Sequence, residues 1–375
     1  MKIAIISHHA VSLIGFRGTF IKELVARGHQ VLALAPDYKP KTREVVRGMG
    51  AETIGFNLSR TGVSPKQDLA TLFELRRILR DHGPDLVLSF STKPSIYGTL
   101  AALSAGVPRR FAMVEGLGSG FAQPGAPQSL AKRALGVVLR RMYGFALARA
   151  DGTIFLNRDD YAEFAARRLV PRGRGHVLGG IGVALDQFPQ SSHPTDPVVF
   201  VLIARMLREK GVGYFVEAAR RIHASHPGAA EFVLVGGLDR NPTGHRRAHI
   251  REWVREGIVK WTGHVPVGPI LRQSSVFVLP SFYREGVPRS TQEAMASGLP
   301  VITTDVPGCR ETVDHGVNGF LVPPHDVDAL TRRMRHFIEN PGDISRMGSE
   351  SRRLAERDFD AKLQDARLIG LLGLS

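Results

Sequence analysis

Short apolar runs rich in β-branched residues alternate with amphipathic helical patterns along this chain, and the alternation restarts once. In the first half the predicted strands are residues 3–7, 30–35, 53–57, 85–90, 110–115 and 152–157. In the second half they are residues 198–204, 231–236, 259–263, 276–280, 301–304 and 319–322. Strands that alternate with helices are typical of parallel sheets covered by helices. The sequence therefore predicts an α/β protein with two doubly wound, Rossmann-like domains in tandem.

The best candidate for a linker is the segment PQSSHPTDP at 189–197, which is rich in proline and serine and separates the two regular patterns. A length of 375 residues suits two domains of roughly 100–200 residues each. We therefore expect an N-terminal domain over residues 1–188 and a C-terminal domain over residues 189–358.

The composition excludes several classes of protein. With 43% hydrophobic and 23% charged residues the chain is neither disordered nor membrane-spanning, and no apolar run approaches the roughly 20 residues of a spanning helix. The apolar stretch at the N-terminus is shorter than that of a signal peptide, so we expect a cytoplasmic protein. The single cysteine, Cys309, excludes an internal disulfide framework and a cysteine-cluster zinc site.

The positive charge is concentrated in the first half of the chain. Residues 1–190 hold 26 Lys+Arg and 14 Asp+Glu, and residues 191–375 hold 24 and 21, so the halves carry +12 and +3. A basic half suggests an anionic partner, namely nucleic acid, phospholipid headgroups or a phosphorylated acceptor. The segment 129–149 is a predicted basic amphipathic helix that either rests on anionic headgroups or forms a solvated outer face. Its cations are Lys132, Arg133, Arg140, Arg141 and Arg149.

Ligands of open α/β sheets bind at the carboxyl ends of strands, so the loops after the predicted strands are the candidate sites. Gly15 and Gly18 follow the first strand, where they favour either an anionic ligand or simply a tight turn. Their spacing is not GxGxxG, which disfavours a dinucleotide oxidoreductase. Arg205 and Lys210 follow the first strand of the second domain, and they suit either a bound diphosphate or a solvated charged loop.

The loop that begins at residue 280 is the most informative one. Glu285 lies there after a predicted strand, where its carboxylate could accept hydrogen bonds from sugar hydroxyls. The next amides and the start of a predicted helix over 289–297 would face a leaving diphosphate. Glu293 has two interpretations, because Ser290-x-x-Glu293 is also the pattern of a capping box that merely satisfies a helix start.

These residues together resemble glycosyltransferase family 4, whose members are retaining enzymes of the GT-B fold. The resemblance rests on Glu285-x7-Glu293 within EGVPRSTQEAMASGLPVITTDVPG, on the preceding Arg205 and Lys210, and on GVNGFLV at 316–322. The loop at 12–18, residues 27–29 and VEGLG at 114–118 are similar to a subgroup that acts on undecaprenyl-diphosphate-linked bacillosamine in bacterial glycan assembly. The resemblance implies two domains that face each other across a cleft. It also implies that the last segment, residues 359–375, is a helix that crosses back to the first domain.

The resemblance also implies roles for individual residues in binding a nucleotide-sugar donor. Glu285 would contact the donor hexose, and Glu293 the nucleotide ribose. The amides of Gly286 and Val287, in the loop that ends at Pro288, would face the sugar or the diphosphate.

Arg205 and Lys210 would bind the donor diphosphate, and the base would lie near Gly263 and Val265. The chain departs from the family at one position. Many members place a histidine near the reacting sugar at the end of an N-domain strand, whereas this chain has Glu115 in the equivalent place. The predicted catalytic set is therefore Glu285, Arg205, Lys210 and Glu115.

The function implied by the resemblance is transfer of a hexose or N-acetylhexosamine from a UDP-sugar to an undecaprenyl-diphosphate-linked saccharide, with configuration retained. We expect neither cofactor nor divalent metal, and a peripheral location on the inner face of the cell membrane. Asp326-x-Asp328 matches the D-x-D of metal-dependent transferases, but it is interpreted as a helix cap with a first-turn charge.

Two alternatives remain open from the sequence. One is a nucleotide-sugar epimerase, which shares the fold and donor site and turns over its donor without an acceptor. The other is a nucleic-acid-binding protein attracted by the net charge of +15. The second alternative is disfavoured because no nucleic-acid-binding motif is recognisable and only 7% of residues are aromatic.

Overall fold

The computed structural model describes residues 1–59, 64–117, 130–239 and 241–374. The chain forms two compact units, Met1–Ile181 with Ala361–Ser375, and Gly182–Asp360. The predicted boundary after residue 188 is therefore too late. Residues 183–188 belong to the second unit because the Val183 amide donates to the Phe359 carbonyl at 2.8 Å, and Arg352 donates to the Phe188 carbonyl at 2.8 Å.

The first unit is built on a seven-stranded sheet in which all pairs are parallel. Its order is β3-β2-β1-β4-β5-β6-β7. The strands are β1 (Lys2–Ile6), β2 (Gln30–Ala35), β3 (Glu52–Gly55), β4 (Leu86–Phe90), β5 (Arg109–Val114), β6 (Gly152–Phe155) and β7 (Gly175–Val177). The first six match predicted strands. The short β7 was not predicted, because its sequence, GHV, has too few apolar residues to form a pattern.

Helices cover the sheet of the first unit. They are α1 (Ala10–Gly15), α2 (Gly18–Ala26), α3 (Pro40–Arg47), α4 (Pro65–His82), α5 (Thr99–Ser104), α6 (Leu130–Leu147) and α7 (Arg158–Ala166). One face of the sheet carries α4, α5 and α6 side by side. Leu75 and Leu79 of α4 pack with Ala101 of α5, and Leu72 of α4 also reaches the cluster around Tyr143 of α6.

The second unit contains a six-stranded sheet that is parallel throughout, in the order β10-β9-β8-β11-β12-β13. Its strands are β8 (Val198–Ile203), β9 (Ala230–Val235), β10 (Lys260–Trp261), β11 (Val276–Leu279), β12 (Val301–Thr304) and β13 (Gly319–Val322). Its helices are α8 (Val212–Ser225), α9 (Arg247–Arg255), α10 (Val267–Arg272), α11 (Arg289–Ala296), α12 (Val327–Glu339) and α13 (Gly342–Asp358). The predicted α/β class with two parallel-sheet domains is confirmed.

The last helix, α14 (Ala361–Leu371), belongs to the first unit and not to the second. Leu368 and Ile369 are buried there, and Arg109 donates a hydrogen bond to the Leu372 carbonyl. The first unit is therefore made from two separate segments of the chain.

Both sheets reverse their strand order beside the first strand, between β1 and β4 and between β8 and β11. Such a switch point opens a crevice at the carboxyl ends of the two strands, because the connecting helices leave on opposite faces of the sheet. In the second unit Lys210 follows β8 and Glu285 follows β11. The fold thus places the predicted catalytic cation and carboxylate at the same crevice.

The loop after β8 approaches the end of β11 closely, and this approach requires Gly211. A Cβ at Gly211 would lie 2.0 Å from the Pro280 carbonyl oxygen, whereas one at Gly257 would meet nothing within 4 Å. Both glycines have left-handed backbone, with φ of 76° and 73°. Comparing an alanine substitution at Gly257 with one at Gly211 therefore separates the cost of left-handed backbone from the cost of steric overlap.

We expect Gly257→Ala to lower the free energy of unfolding of the second unit by about 1 kcal/mol, the cost of left-handed backbone in an L-residue. Gly211→Ala should lower it by about 2 kcal/mol more, because overlap with Pro280 adds to that cost. Urea denaturation followed by tryptophan fluorescence measures both variants, since Trp253 and Trp261 are the only tryptophans and lie in this unit. Equal losses in the two variants would contradict the close approach.

Candidate active site

A buried ion pair joins the two loops at the switch point of the second unit. Lys210 ends the 3₁₀ turn Arg208–Lys210 after β8, and its Nζ pairs with Oε1 of Glu285. The two side chains are only 13% and 10% exposed. The ring of Tyr283 adds a cation–π contact, with its centroid 5.2 Å from Lys210 Nζ. The structure therefore brings together two of the predicted site residues.

Backbone hydrogen bonds hold these two loops against each other. The Glu209 carbonyl accepts a hydrogen bond from the Phe282 amide at 2.9 Å. The hydroxyl of Ser281 lies 3.1 Å from the same carbonyl and 3.0 Å from Oε1 of Glu285. Since Glu209 directly precedes Lys210, these hydrogen bonds also hold the lysine beside the glutamate. Charges that are already in place need little reorganisation during a reaction.

Arg205 lies at the same edge of the sheet but has a different partner. Its Nη1 is 2.8 Å from Oδ2 of Asp239, in the loop after β9, and its side chain is 56% exposed. Sequence reasoning missed Asp239, because only the neighbouring positions of β8 and β9 reveal this contact. An anion that binds Arg205 has to compete with a carboxylate.

Glu293 lies in α11 and pairs with Arg289, whose Nε is 2.7 Å from Oε1. The capping-box interpretation is wrong, because the N-cap of α11 is Pro288, so that Ser290 already lies inside the helix. Burial raises the pKa of the Glu293 carboxyl, and the Arg289 charge opposes this shift. Glu293 is therefore not a helix cap, and its contact with a ribose stays a prediction.

The loop from Gly286 to Pro288 is buried, and Val287 is only 5% exposed. The loop that follows β12 contacts the backbone of this segment at Gly308, where a Cβ would lie 2.3 Å from the Gly286 carbonyl oxygen. Cys309 follows and is fully buried. Burial raises the pKa of its thiol to about 12, and the nearby Glu285 charge adds to the shift. The cysteine is therefore an inert part of the core behind Glu285.

The predicted base-binding residues follow β10 at the edge of the sheet. The Gly263 carbonyl accepts a hydrogen bond from the Gly236 amide at 2.8 Å, which holds the ends of β9 and β10 together. Val265 is half-buried two residues later. These residues lie at the carboxyl edge that also carries Lys210 and Glu285, as predicted, but their contact with a base stays a prediction.

In the first unit, Glu115 follows β5 and is held by two partners. Oε1 lies 2.6 Å from Nη2 of Arg17, and Oε2 accepts a hydrogen bond from the Ser91 hydroxyl at 2.6 Å. Ser91 follows β4 with a left-handed φ of 71°, an uncommon conformation that clusters at functional sites. The catalytic role of Glu115 stays a prediction.

Gly15 ends α1 and Gly18 begins α2, so these predicted ligand-binding glycines flank Arg17. Arg17 is only 3% exposed, and its guanidinium lies 4.2 Å from the ring centroid of Phe90. The segment after β1 therefore contributes a buried cation to Glu115, and both predicted glycines are helical residues. Sequence reasoning missed Arg17, and Gly118 of the VEGLG motif lies outside the described residues.

The Asp326-x-Asp328 motif serves the helix that it begins. The Asp326 side chain accepts a hydrogen bond from the Ala329 amide at 2.8 Å, which confirms the predicted cap. Asp328, in the first turn of α12, pairs with Arg221 of α8. The motif therefore has a structural explanation.

Comparison with solved structures identifies the fold. The sucrose-phosphate synthase of Thermosynechococcus elongatus superposes with a TM-score of 0.80 at 20% identity, over 99% of this chain and 98% of that one. Anabaena HepE in complex with UDP superposes with a TM-score of 0.77 at 18% identity, over the whole of both chains. The fold is that of the GT-B glycosyltransferases.

Sequence comparison then gives the family. Residues 18–180 match the model described as glycosyl transferase 4-like domain, and residues 197–340 match glycosyl transferases group 1. The chain is 30% identical over 357 residues to the N,N'-diacetylbacillosaminyl-diphospho-undecaprenol alpha-1,3-N-acetylgalactosaminyltransferase of Campylobacter jejuni, covering 91% of this chain and 90% of the relative. The chain therefore belongs to glycosyltransferase family 4.

A second relative supports the same assignment. The UDP-Gal:alpha-D-GlcNAc-diphosphoundecaprenol alpha-1,3-galactosyltransferase of Escherichia coli is 28% identical over 283 residues, which cover 72% of this chain and 70% of the relative. Both relatives are transferases, and the epimerase alternative receives no support from them. The protein is therefore an enzyme that transfers a sugar.

We expect Lys210→Met to lower the free energy of unfolding of the second unit by about 3 kcal/mol, because the buried Glu285 carboxylate loses its cation. The double variant Lys210→Met/Glu285→Gln should regain about 2 kcal/mol of that loss, since no buried charge is left unbalanced. Both values come from urea denaturation followed by tryptophan fluorescence.

Lys260→Met is the matched control, because Lys260 and Glu231 form an ion pair on the surface of the same unit. Lys260→Met should lower the free energy of unfolding by less than about 1 kcal/mol. A Lys210→Met variant as stable as this control would show that the buried pair contributes nothing to stability.

Proposed function

We propose that the protein transfers a hexose or N-acetylhexosamine from a UDP-sugar to a saccharide carried on undecaprenyl diphosphate, with configuration retained and without a divalent metal. The observation that carries this proposal is the buried Lys210–Glu285 pair at the switch point of the second unit. A carboxylate and an ammonium held side by side suit the two ends of a sugar diphosphate, which are hydroxyl groups and anionic oxygens.

In the proposed reaction an acceptor hydroxyl forms a bond to the anomeric carbon while the bond from that carbon to the UDP oxygen breaks. The products are the glycosylated acceptor, UDP and a proton. Negative charge grows on the departing UDP, and Lys210 would stabilise it more in the transition state than in the ground state. Arg205 is exposed enough to turn from Asp239 towards the same diphosphate.

Lys210, Arg205 and the amides of the Gly286–Pro288 loop would then supply the positive charge that a metal ion supplies in other transferases. Glu285 would accept hydrogen bonds from the sugar hydroxyls while its Oε1 stays paired with Lys210. The acceptor is proposed from the relatives, whose names specify saccharides linked to undecaprenyl diphosphate.

The first test incubates the protein with a panel of UDP-sugars in EDTA, with and without undecaprenyl-diphosphate-linked saccharides, and follows UDP release. We expect release that needs the acceptor, favours one UDP-sugar and survives EDTA. Glu285→Gln should lower the rate about 100-fold or more, as expected when a preorganised transition-state contact is removed. Glu256→Gln, which removes an exposed glutamate paired with Arg220, should keep the wild-type rate.

Three results would contradict the proposal in different ways. Donor turnover without acceptor would indicate an epimerase or a hydrolase. Loss of activity in EDTA would show that a metal is needed. A wild-type rate in Glu285→Gln would show that the site lies elsewhere.

We also propose that the first unit contacts an anionic membrane surface, on the inner face of the cell membrane, through α6 and the neighbouring α4. Val137, Val138 and Phe145 of α6 are exposed, and the guanidinium of Arg149 lies 3.5 Å from the ring centroid of Phe145. Ser129 and the side chains of residues 130–135, including Lys132 and Arg133, lie outside the described residues.

The exposed side of α4 repeats this chemistry on the same face of the sheet. Leu69 and Phe73 are more than half exposed, and Lys66, Arg77 and Arg80 are exposed beside them. Apolar side chains would enter the headgroup region while the cations pair with lipid phosphates. The charge of +12 on the first half of the chain favours such a surface.

We expect Val138→Glu/Phe145→Glu to lower binding to phosphatidylglycerol vesicles more than about tenfold, because each change removes insertable apolar area. Val45→Glu/Leu363→Glu is the matched control, since it makes the same charge change at exposed apolar residues of α3 and α14. Vesicle co-sedimentation measures both. Equal losses would indicate that net charge alone attracts the protein to the vesicles.

A further inference from the structure

A fully buried glutamine connects the predicted donor loop to the place where the chain enters the second unit. Gln292 lies in α11, one residue before Glu293, and is 0% exposed. Its Nε2 donates a hydrogen bond to the Val287 carbonyl at 3.1 Å. Its Oε1 accepts one from the Gly182 amide at 3.0 Å. One side-chain amide thus joins two backbone segments that are far apart in sequence.

Gly182 is the first residue of the second unit, and the chain leaves this unit at Asp360. The segment that enters the second unit and the segment that leaves it are hydrogen-bonded to each other. Val183 donates to the Phe359 carbonyl at 2.8 Å and forms a parallel bridge with Asp360. A residue that fixes the Gly182 amide therefore also fixes the neighbouring Val183–Asp360 bridge, where the chain enters and leaves the second unit.

We propose that Gln292 is a positioning residue that couples donor occupancy of the Glu285–Pro288 loop to the backbone at Gly182. This inference rests on the proposed function, because it requires that a UDP-sugar binds at this loop. Both ends of the amide are hydrogen-bonded and no part of it is exposed, so a shift of the Val287 carbonyl is passed to Gly182. An apolar side chain of similar size would fill the same space without joining the two backbone groups.

The experiment measures hydrogen exchange of the Gly182 amide by NMR, with and without UDP, in the full-length protein. If opening at Gly182 requires the donor loop to release UDP, exchange slows by up to about 100-fold at a UDP concentration of 100 times Kd. In Gln292→Met we expect UDP to bind and to slow Gly182 exchange less than about twofold, since the link is gone.

Gln292→Leu is a second variant in case methionine disturbs folding. Its side chain neither accepts from Gly182 nor donates to Val287, so UDP should slow Gly182 exchange less than about twofold in this variant as well. Asn318→Leu is the matched control, because Asn318 is an equally buried amide of this unit that binds the Thr312 carbonyl and the Asp314 amide. It should lose stability and keep the full UDP effect.

Retention of the UDP effect in both Gln292 variants would overturn the coupling, and so would its absence in a wild-type protein that binds UDP. Loss of the effect in Asn318→Leu as well would show that any buried amide produces it, which also overturns the assignment to Gln292. A wild-type protein that binds no UDP would instead overturn the proposed donor, and the coupling with it.

Discussion

The pairing of Lys210 with Glu285 is the interaction on which the second unit depends. Two charges with so little exposure are costly to bury, and the attraction between them offsets much of that cost. Their meeting requires β8 and β11 to be neighbours and requires the loop after β8 to come within contact distance of Pro280. Strand order, loop conformation and charge pairing are therefore parts of one arrangement.

The first unit also pairs a carboxylate with a cation, but the cation comes from a different element. A carboxylate, Glu115, again follows a strand at the carboxyl edge of a parallel sheet and again has a cation beside it. Here the cation is Arg17, which comes from the loop after β1 and stacks on Phe90. Each unit thus pairs a carboxylate at the carboxyl edge of its sheet with a cation of its own.

The alternation of strands and helices allowed twelve of the thirteen strands in the described part of the chain to be predicted, because parallel strands buried on both faces are nearly continuous apolar runs. Glu285 and Lys210 were predicted as site residues because they follow strands and match a spaced motif. The pairing of Arg205 with Asp239 and the two hydrogen bonds of Gln292 could not be predicted. They depend on which loops the sheet order brings together, and a lone glutamine in a helix carries no signal of its own.

The division of the first unit into two chain segments bears on how this protein is made. The second unit is continuous in sequence and can complete its fold once residue 360 has left the ribosome. The first unit lacks α14 until residues 361–371 have followed the second unit out of the ribosome, although most of it emerges first. The N-terminal half therefore completes its fold after the C-terminal half, against the usual order in which domains mature during translation. Until then the residues that α14 buries stay exposed, and a chaperone that recognises apolar surface has its longest opportunity at this unit.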